Sequence, residues 1–236
     1  MTLGAILLPA CEAALDVRVV LDRDGAGSLG VSLSADEELL ARAAAAGADP
    51  IAALAASARA LEGWAVVEEA LPATAGGGRR VQLSTVVDGP EELERRSAEL
   101  ADALSAPEVD LLDGFQVELD DDTVRLEGRA GLVPTSATTE IGLRPEDAVR
   151  LLEEHDAFRY TVHARMPGAV LESNAGSAPA EDGPTELVWR IAPGTSVALS
   201  AVGERPGPSA LLLAAGAVSA ALLLLAGVLL LRPRRT

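Results

Sequence analysis

Residues Leu15-Asp16-Val17-Arg18-Val19-Val20-Leu21-Asp22-Arg23-Asp24-Gly25-Ala26-Gly27 decide how this chain folds. Leu15, Val17, Val19 and Leu21 recur at every second position, with Asp16, Arg18 and Asp22 on the alternate ones. Successive side chains of a strand point to opposite faces, so a period of two predicts a strand with one buried face. Asp24-Gly25-Ala26-Gly27 then turns the chain, since Asp and Gly accept turn backbones at little steric cost. Leu29, Val31 and Leu33 bring it back as a second strand. The founding unit is a hairpin, and the remaining chain must cover its apolar face.

Toward the C-terminus, helices and strands are mixed. Ser34 stands three residues before Glu37, the spacing of a capping box, and opens a predicted helix through Ala46. Asp49-Pro50 starts a second helix that runs to about Glu62, with Pro at its first position. Both are rich in Ala, which predicts close packing. Gly63 to Leu71 and Arg80 to Val87 read as strands joined by Ala75-Gly76-Gly77-Gly78. Asp88-Gly89-Pro90-Glu91 begins a third helix with Leu93, Leu100 and Leu104 on its inner side. Phe115 to Leu119 and Val124 to Arg129 form a hairpin around Asp120-Asp121-Asp122, and Pro145 to Glu154 is a short helix. Phe158 to Arg165, Glu186 to Ile191 and Ser196 to Val202 are the closing strands, with a loop rich in Gly, Ala and Pro from Asn174 to Pro184. Hairpins with helices between them imply an α+β fold: a largely antiparallel sheet with helices packed on one face.

The ends of the chain carry different signals. The run from Ala210 to Leu231 holds no charge. At about 1.5 Å per residue it makes a helix roughly 33 Å long, which matches a hydrocarbon core of about 30 Å. Arg232, Arg234 and Arg235 follow it, and a basic flank marks the cytoplasmic side. The expected layout is an apolar N-terminal segment (1–11), an extracytoplasmic domain (12–203), a linker (204–209), a transmembrane helix (210–231) and a cytoplasmic tail (232–236). The protein is then a single-pass cell-membrane protein. Gly216 and Ala220, and Ala217 and Ala221, offer small faces for contact between spans. At the other end, Leu8-Pro9-Ala10-Cys11 has the outline of a lipobox, whose thiol would accept diacylglycerol. Pro9 stands where Ala or Ser is usual, and no basic stretch precedes the apolar run. Cys11 is therefore read as the lipid-attachment residue, with a free thiol as the alternative.

Composition excludes several classes of function. Of 236 residues, 36 are acidic and 19 basic. All the acidic ones precede the apolar run, so the domain ahead of it is strongly negative and repels nucleic acid and bare anionic headgroups. Every basic residue is Arg, which with the abundant Ala points to a GC-rich genome. Cys11 is the single cysteine, so no disulfide can close within the chain. Two Trp, two Phe and one Tyr are too few for carbohydrate- or base-stacking platforms.

No motif calls for an enzyme. Asp120, Asp121 and Asp122 lack the twelve-residue calcium-loop pattern and read as a solvated hairpin tip. His155 and His163 have no Cys or His partner at metal spacing. Gly76-Gly77-Gly78 precedes a strand, where a phosphate cradle precedes a helix. No serine lies in Gly-x-Ser-x-Gly, and Glu153 and Glu154 are ordinary helix-surface charges. Neither metal nor cofactor is expected, and no catalytic residue is assigned.

Three stretches resemble the LppM-type envelope lipoprotein domain of mycobacteria and other actinobacteria. They are Cys11 with Leu15 to Gly25; Tyr160-Thr161-Val162 leading to Met166-Pro167-Gly168-Ala169-Val170-Leu171-Glu172-Ser173-Asn174; and Leu187-Val188-Trp189-Arg190-Ile191 with Pro193-Gly194. Together they bracket residues 11 to 202. The resemblance implies an envelope-displayed α+β domain that binds lipid or lipoglycan and has no established catalytic residues. One reading of the chain is accordingly a binding module, with a cavity left by the small residues of the Ala-rich helices between Ala35 and Glu62. The other is a structural or partner-docking module of an envelope complex. Membrane and envelope lipids or lipoglycans are the expected partners.

Overall fold

A computed structural model describes residues 12–72, 77–104, 109–134, 145–154, 158–176 and 186–207. The founding hairpin forms as the alternation predicts: β1 (Ala13–Leu21) pairs antiparallel with β2 (Gly27–Ala35), Val17 opposite Val31 and Leu15 opposite Leu33. The turn between them is drawn tight by Asp22, whose Oδ1 accepts from the amides of Asp24 and Ala26 at 2.8 and 3.0 Å. Gly27 makes this possible. Its φ is +153°, and a Cβ there would lie 1.9 Å from the carbonyl oxygen of Val20.

The elements that follow are α1 (Glu37–Ala45), α2 (Pro50–Arg59), β3 (Ala65–Ala70), β4 (Arg79–Val87), α3 (Pro90–Leu104), β5 (Val109–Leu119), β6 (Thr123–Pro134), α4 (Pro145–Glu154), β7 (Phe158–Arg165), β8 (Val170–Ser173), β9 (Glu186–Ile191) and β10 (Ser196–Glu204). The fold is mixed α+β. The single sheet expected from the sequence is two: a six-stranded sheet in the order β3-β4-β2-β1-β7-β9, and a four-stranded one in the order β5-β6-β10-β8. Among the described residues all pairings are antiparallel except β1 with β7, which run parallel with Val17 opposite Val162.

Local corrections have physical causes. The N-cap of α1 is Asp36, which accepts from the Leu39 amide at 2.7 Å; Ser34 is taken by β2, opposite Arg80. Asp49 caps α2 as expected, accepting from the Ala52 amide at 2.9 Å. β5 begins earlier than the alternation suggests, because register shifts between Asp110 and Phe115, with Gly114 at φ +65°, break the period of two. The last strand continues through Glu204, two residues past the strand end expected at Val202.

One continuous buried cluster joins the inner face of the six-stranded sheet, α2, α3 and the four-stranded sheet. Leu15, Val17, Val19, Val31, Leu83, Val162, Leu187 and Trp189 line the sheet side of it. α2 contributes Ile51, Leu54, Ala55 and Ala58, all buried, whereas α1 buries nothing fully. Ala55 and Ala58 therefore draw α2 onto the sheet and do not line a space. α3 inserts Leu93, Leu100 and Leu104, as its spacing predicts. Tyr160 and Asn174 each tie one sheet to the other. The Tyr160 hydroxyl on β7 donates to the Leu111 carbonyl on β5 at 2.7 Å, and burial pushes its pKa upward. Asn174 accepts at Oδ1 from the Trp189 indole (2.8 Å) and the Ser200 amide (2.9 Å), and donates from Nδ2 to the Ala198 carbonyl (2.6 Å).

Compact packing ends at Arg205, with the chain from Pro206 onward forming a separate unit. Arg205 bonds three ways from its guanidinium: to the Arg23 carbonyl at 2.8 Å, the Asp120 carbonyl at 3.0 Å and the Asp24 carboxylate at 3.2 Å. Its own amide donates to the Asp122 carbonyl at 2.7 Å. Among the described residues no single helix is long and apolar enough to cross a membrane; the run from Ala210 to Leu231 lies outside them.

Candidate functional site

The inner face of the six-stranded sheet is closed by the core, and the other face stays open. Strand registers place its side chains on a grid. The first rung is Glu69, Arg80, Ser34, Ala14 and Arg159; the second is Val67, Gln82, Ser32, Asp16, Thr161 and Arg190. The third is Ala65, Ser84, Gly30, Arg18, His163 and Val188; the fourth is Val86, Ser28, Val20, Arg165 and Glu186. Val86 and Val67 remain 71% and 54% exposed, so the β3–β4 side of this face is open, whereas Ala14 on β1 and Thr161 on β7 are buried among their neighbours.

Down its middle runs a lane with no large side chain. β2 presents Ser28, Gly30, Ser32 and Ser34 outward, because every apolar residue of that strand is committed to the inner face. The strand rise of about 3.3 Å per residue makes the lane roughly 20 Å long. Its walls are Arg80, Gln82, Ser84 and Val86 on β4, and Ala14, Asp16, Arg18 and Val20 on β1. Gly30 fits closely: a Cβ there would meet the Leu83 carbonyl oxygen at 3.1 Å. At the first rung the lane opens into a cleft of about 350 Å³ lined by Glu12, Ala14, Ser34, Asp36, Arg80 and Arg159.

Charge on this face departs from the acidic whole. It carries Arg18, Arg80, Arg159, Arg165 and Arg190 against Asp16, Glu69 and Glu186. Arg80 bonds Glu69 at 3.0 Å, and Arg18 lies 3.9 Å from Glu186. Arg159, Arg165 and Arg190 have no ion-pair or hydrogen-bond partner for their side chains among the described residues. Elsewhere the acidic groups are heavily engaged. Glu68 is held below its ordinary pKa by hydrogen bonds from Arg59 and then Arg79, and Asp49 by the Ala52 amide and then Arg79.

The residues singled out from sequence do not converge. Cys11 and His155 lie outside the described residues, as does part of the Gly-rich loop. His163 sits on the open face, 3.8 Å from Asp16 and 3.4 Å from Glu186. Asp120, Asp121 and Asp122 form the β5–β6 tip, where the Asp120 and Asp122 carbonyls receive Arg205. Among the described residues no group of three or more His, Cys, Asp or Glu is placed to hold a metal ion. The open face itself escapes motif reading, since its residues are ordinary and far apart in sequence. Its signal was the serines and glycine alternating with Leu29, Val31 and Leu33.

The backbone has a likeness among solved structures. It is similar to the folded domain of Mycobacterium tuberculosis LppM, determined by NMR. The two share 14% identity at a TM-score of 0.44, covering 84% of this chain and 92% of that one. No family model and no curated protein matches the chain.

Proposed function

We propose that the chain is a membrane-tethered, non-catalytic binding module that receives the polar part of an envelope lipid or lipoglycan on the open face of its six-stranded sheet. One observation carries this reading: the half-buried lane Ser28-Gly30-Ser32-Ser34, flanked by the hydrogen-bonding side chains Asp16 and Arg18 on β1 and Arg80, Gln82 and Ser84 on β4. The packing of Ala55 and Ala58 against the sheet argues for a headgroup on the surface over an acyl chain in the core. With so few aromatics, recognition would proceed by hydrogen bonds and guanidinium groups, not by stacking. The run from Ala210 to Leu231 is read as the tether, with the domain outside and the arginine tail in the cytoplasm. Cys11, if acylated, would hold the other end of the domain at the same surface.

The test is binding of extracted envelope lipids to the full-length protein in nanodiscs, read as a rise in unfolding temperature. Ser32→Leu, which fills the lane from a half-buried position outside the core, should abolish the rise while leaving the protein folded. Absence of any rise in the wild type would end this reading. A second reading, docking of a protein partner, is favoured by the exposed Val67 and Val86 on the same face. Crosslinks in membranes that disappear on Val86→Glu, without lipid protection, would put it first.

A further inference from the structure

We propose that the cleft between Arg80 and Arg159 seats an oxyanion, the phosphate or carboxylate of the ligand. This rests on the open face being the ligand surface, and it assigns the charged group of that ligand to one rung. The cleft sits where two arginines of the first rung are separated by the small residues Ser34 and Ala14. Three strand steps of about 4.8 Å place their Cα atoms roughly 14 Å apart. The intervening floor holds no side chain larger than a hydroxymethyl, and the volume of about 350 Å³ admits a phosphate with room for its substituent.

Neither of the two acidic residues that line the cleft is paired with Arg80 or Arg159. Asp36 has one carboxylate oxygen on the Glu12 amide at 2.8 Å and the other on the Leu39 amide at 2.7 Å. Both oxygens therefore accept from backbone donors, and neither bonds Arg80 or Arg159. Glu12 is exposed, and its carboxylate pairs with neither arginine. Arg80 bonds Glu69 through Nη1, which leaves other N–H groups of its fork available. Arg159 is unengaged among the described residues.

The arginine inventory gives this weight. Across the described residues most arginines lie in ion pairs or hydrogen bonds; Arg129, Arg159, Arg165 and Arg190 do not. Three of these four lie on the open face of β7 and β9, and Arg159 alone among them lines the cleft. A guanidinium fork matches the geometry of carboxylate and phosphate oxygens, so two arginines across a small floor form a receptor for either.

The full-length protein in zwitterionic detergent is unfolded thermally while chloride is replaced, at constant ionic strength, by inorganic phosphate or by acetate. One or both anions should raise the unfolding temperature saturably, and which one does so identifies the chemistry of the group. Arg159→Ala and Arg80→Ala should each weaken the effect at least tenfold, with Arg159→Lys intermediate. Arg129→Ala, at an unengaged arginine on another sheet, should leave it unchanged. The seat is overturned if neither anion exceeds chloride, or if Arg159→Ala responds like the wild type. The two proposals fail separately. Envelope-lipid protection that survives Arg159→Ala but not Ser32→Leu removes the seat and keeps the surface. Protection that survives both removes both.

Discussion

The two faces of the six-stranded sheet share every backbone hydrogen bond and differ in almost everything else. Inward, Val17, Val19, Leu29 and Val162 are completely buried. Outward, the same strands present Ser28, Gly30, Ser32, Asp16, Arg18 and His163, none of which is fully covered. A strand with one face in the core has half its residues committed to packing, and only the other half is free to answer to a ligand. Here the free half on β2 is kept small and mostly polar, and on β7 it carries Arg159 and Arg165.

This contrast is broken most sharply from the inside. Trp189→Ala removes a large core side chain and strands the Asn174 joint. The change should cost about 3–5 kcal/mol, seen as a lowered guanidinium midpoint by circular dichroism. Gly27→Ala comes next, since its Cβ would collide with the Val20 carbonyl oxygen at the turn; about 2–3 kcal/mol is expected from the strained backbone. If either leaves the midpoint unmoved, the inner face does not organise the fold. On the outer face, Gln82→Ala and Ser84→Ala should shift stability by no more than about 0.5 kcal/mol. A large loss there would mean that something rests on that face.

Acid provides a further lever. Asp24 is held below its usual pKa of 3.8 by hydrogen bonds from Arg205 and then Arg23, Glu92 below 4.5 by the Asp88 amide, and Glu68 below 4.5 by Arg59 and then Arg79. A carboxylate with a depressed folded pKa stabilises the fold above its unfolded value, and this is lost as pH falls through the depressed one. Stability should therefore hold at neutral pH and decline below about pH 4. Arg205→Gln should flatten the part of that decline due to Asp24, measured as unfolding midpoint against pH.

Much of the fold was legible because burial imposes periods. The β1–β2 hairpin, the caps at Asp49 and the spacing of Leu93, Leu100 and Leu104 all follow from side chains that must face one way. β8 was not legible: Val170 to Ser173 is four residues long, mostly exposed, and held by pairing to β10. Nor was the split into two sheets, which depends on which strand meets β6 and β10 across long stretches of sequence. The candidate site was the least legible part. Ser34, Ala14, Arg80 and Arg159 become neighbours only through register, and no motif in the sequence links them.

Arg205 has a mechanical consequence. Tension entering the chain from residue 206 reaches it before it reaches the end of β10. Its bonds lead to the β1–β2 turn and to the β5–β6 turn, which belong to different sheets. A pull from the C-terminal side is thus divided between two hairpins at once and cannot start by peeling β10 away alone. Several hydrogen bonds must break together before the strand sees the force, so the domain should yield at a single high threshold, and Arg205→Ala should lower it.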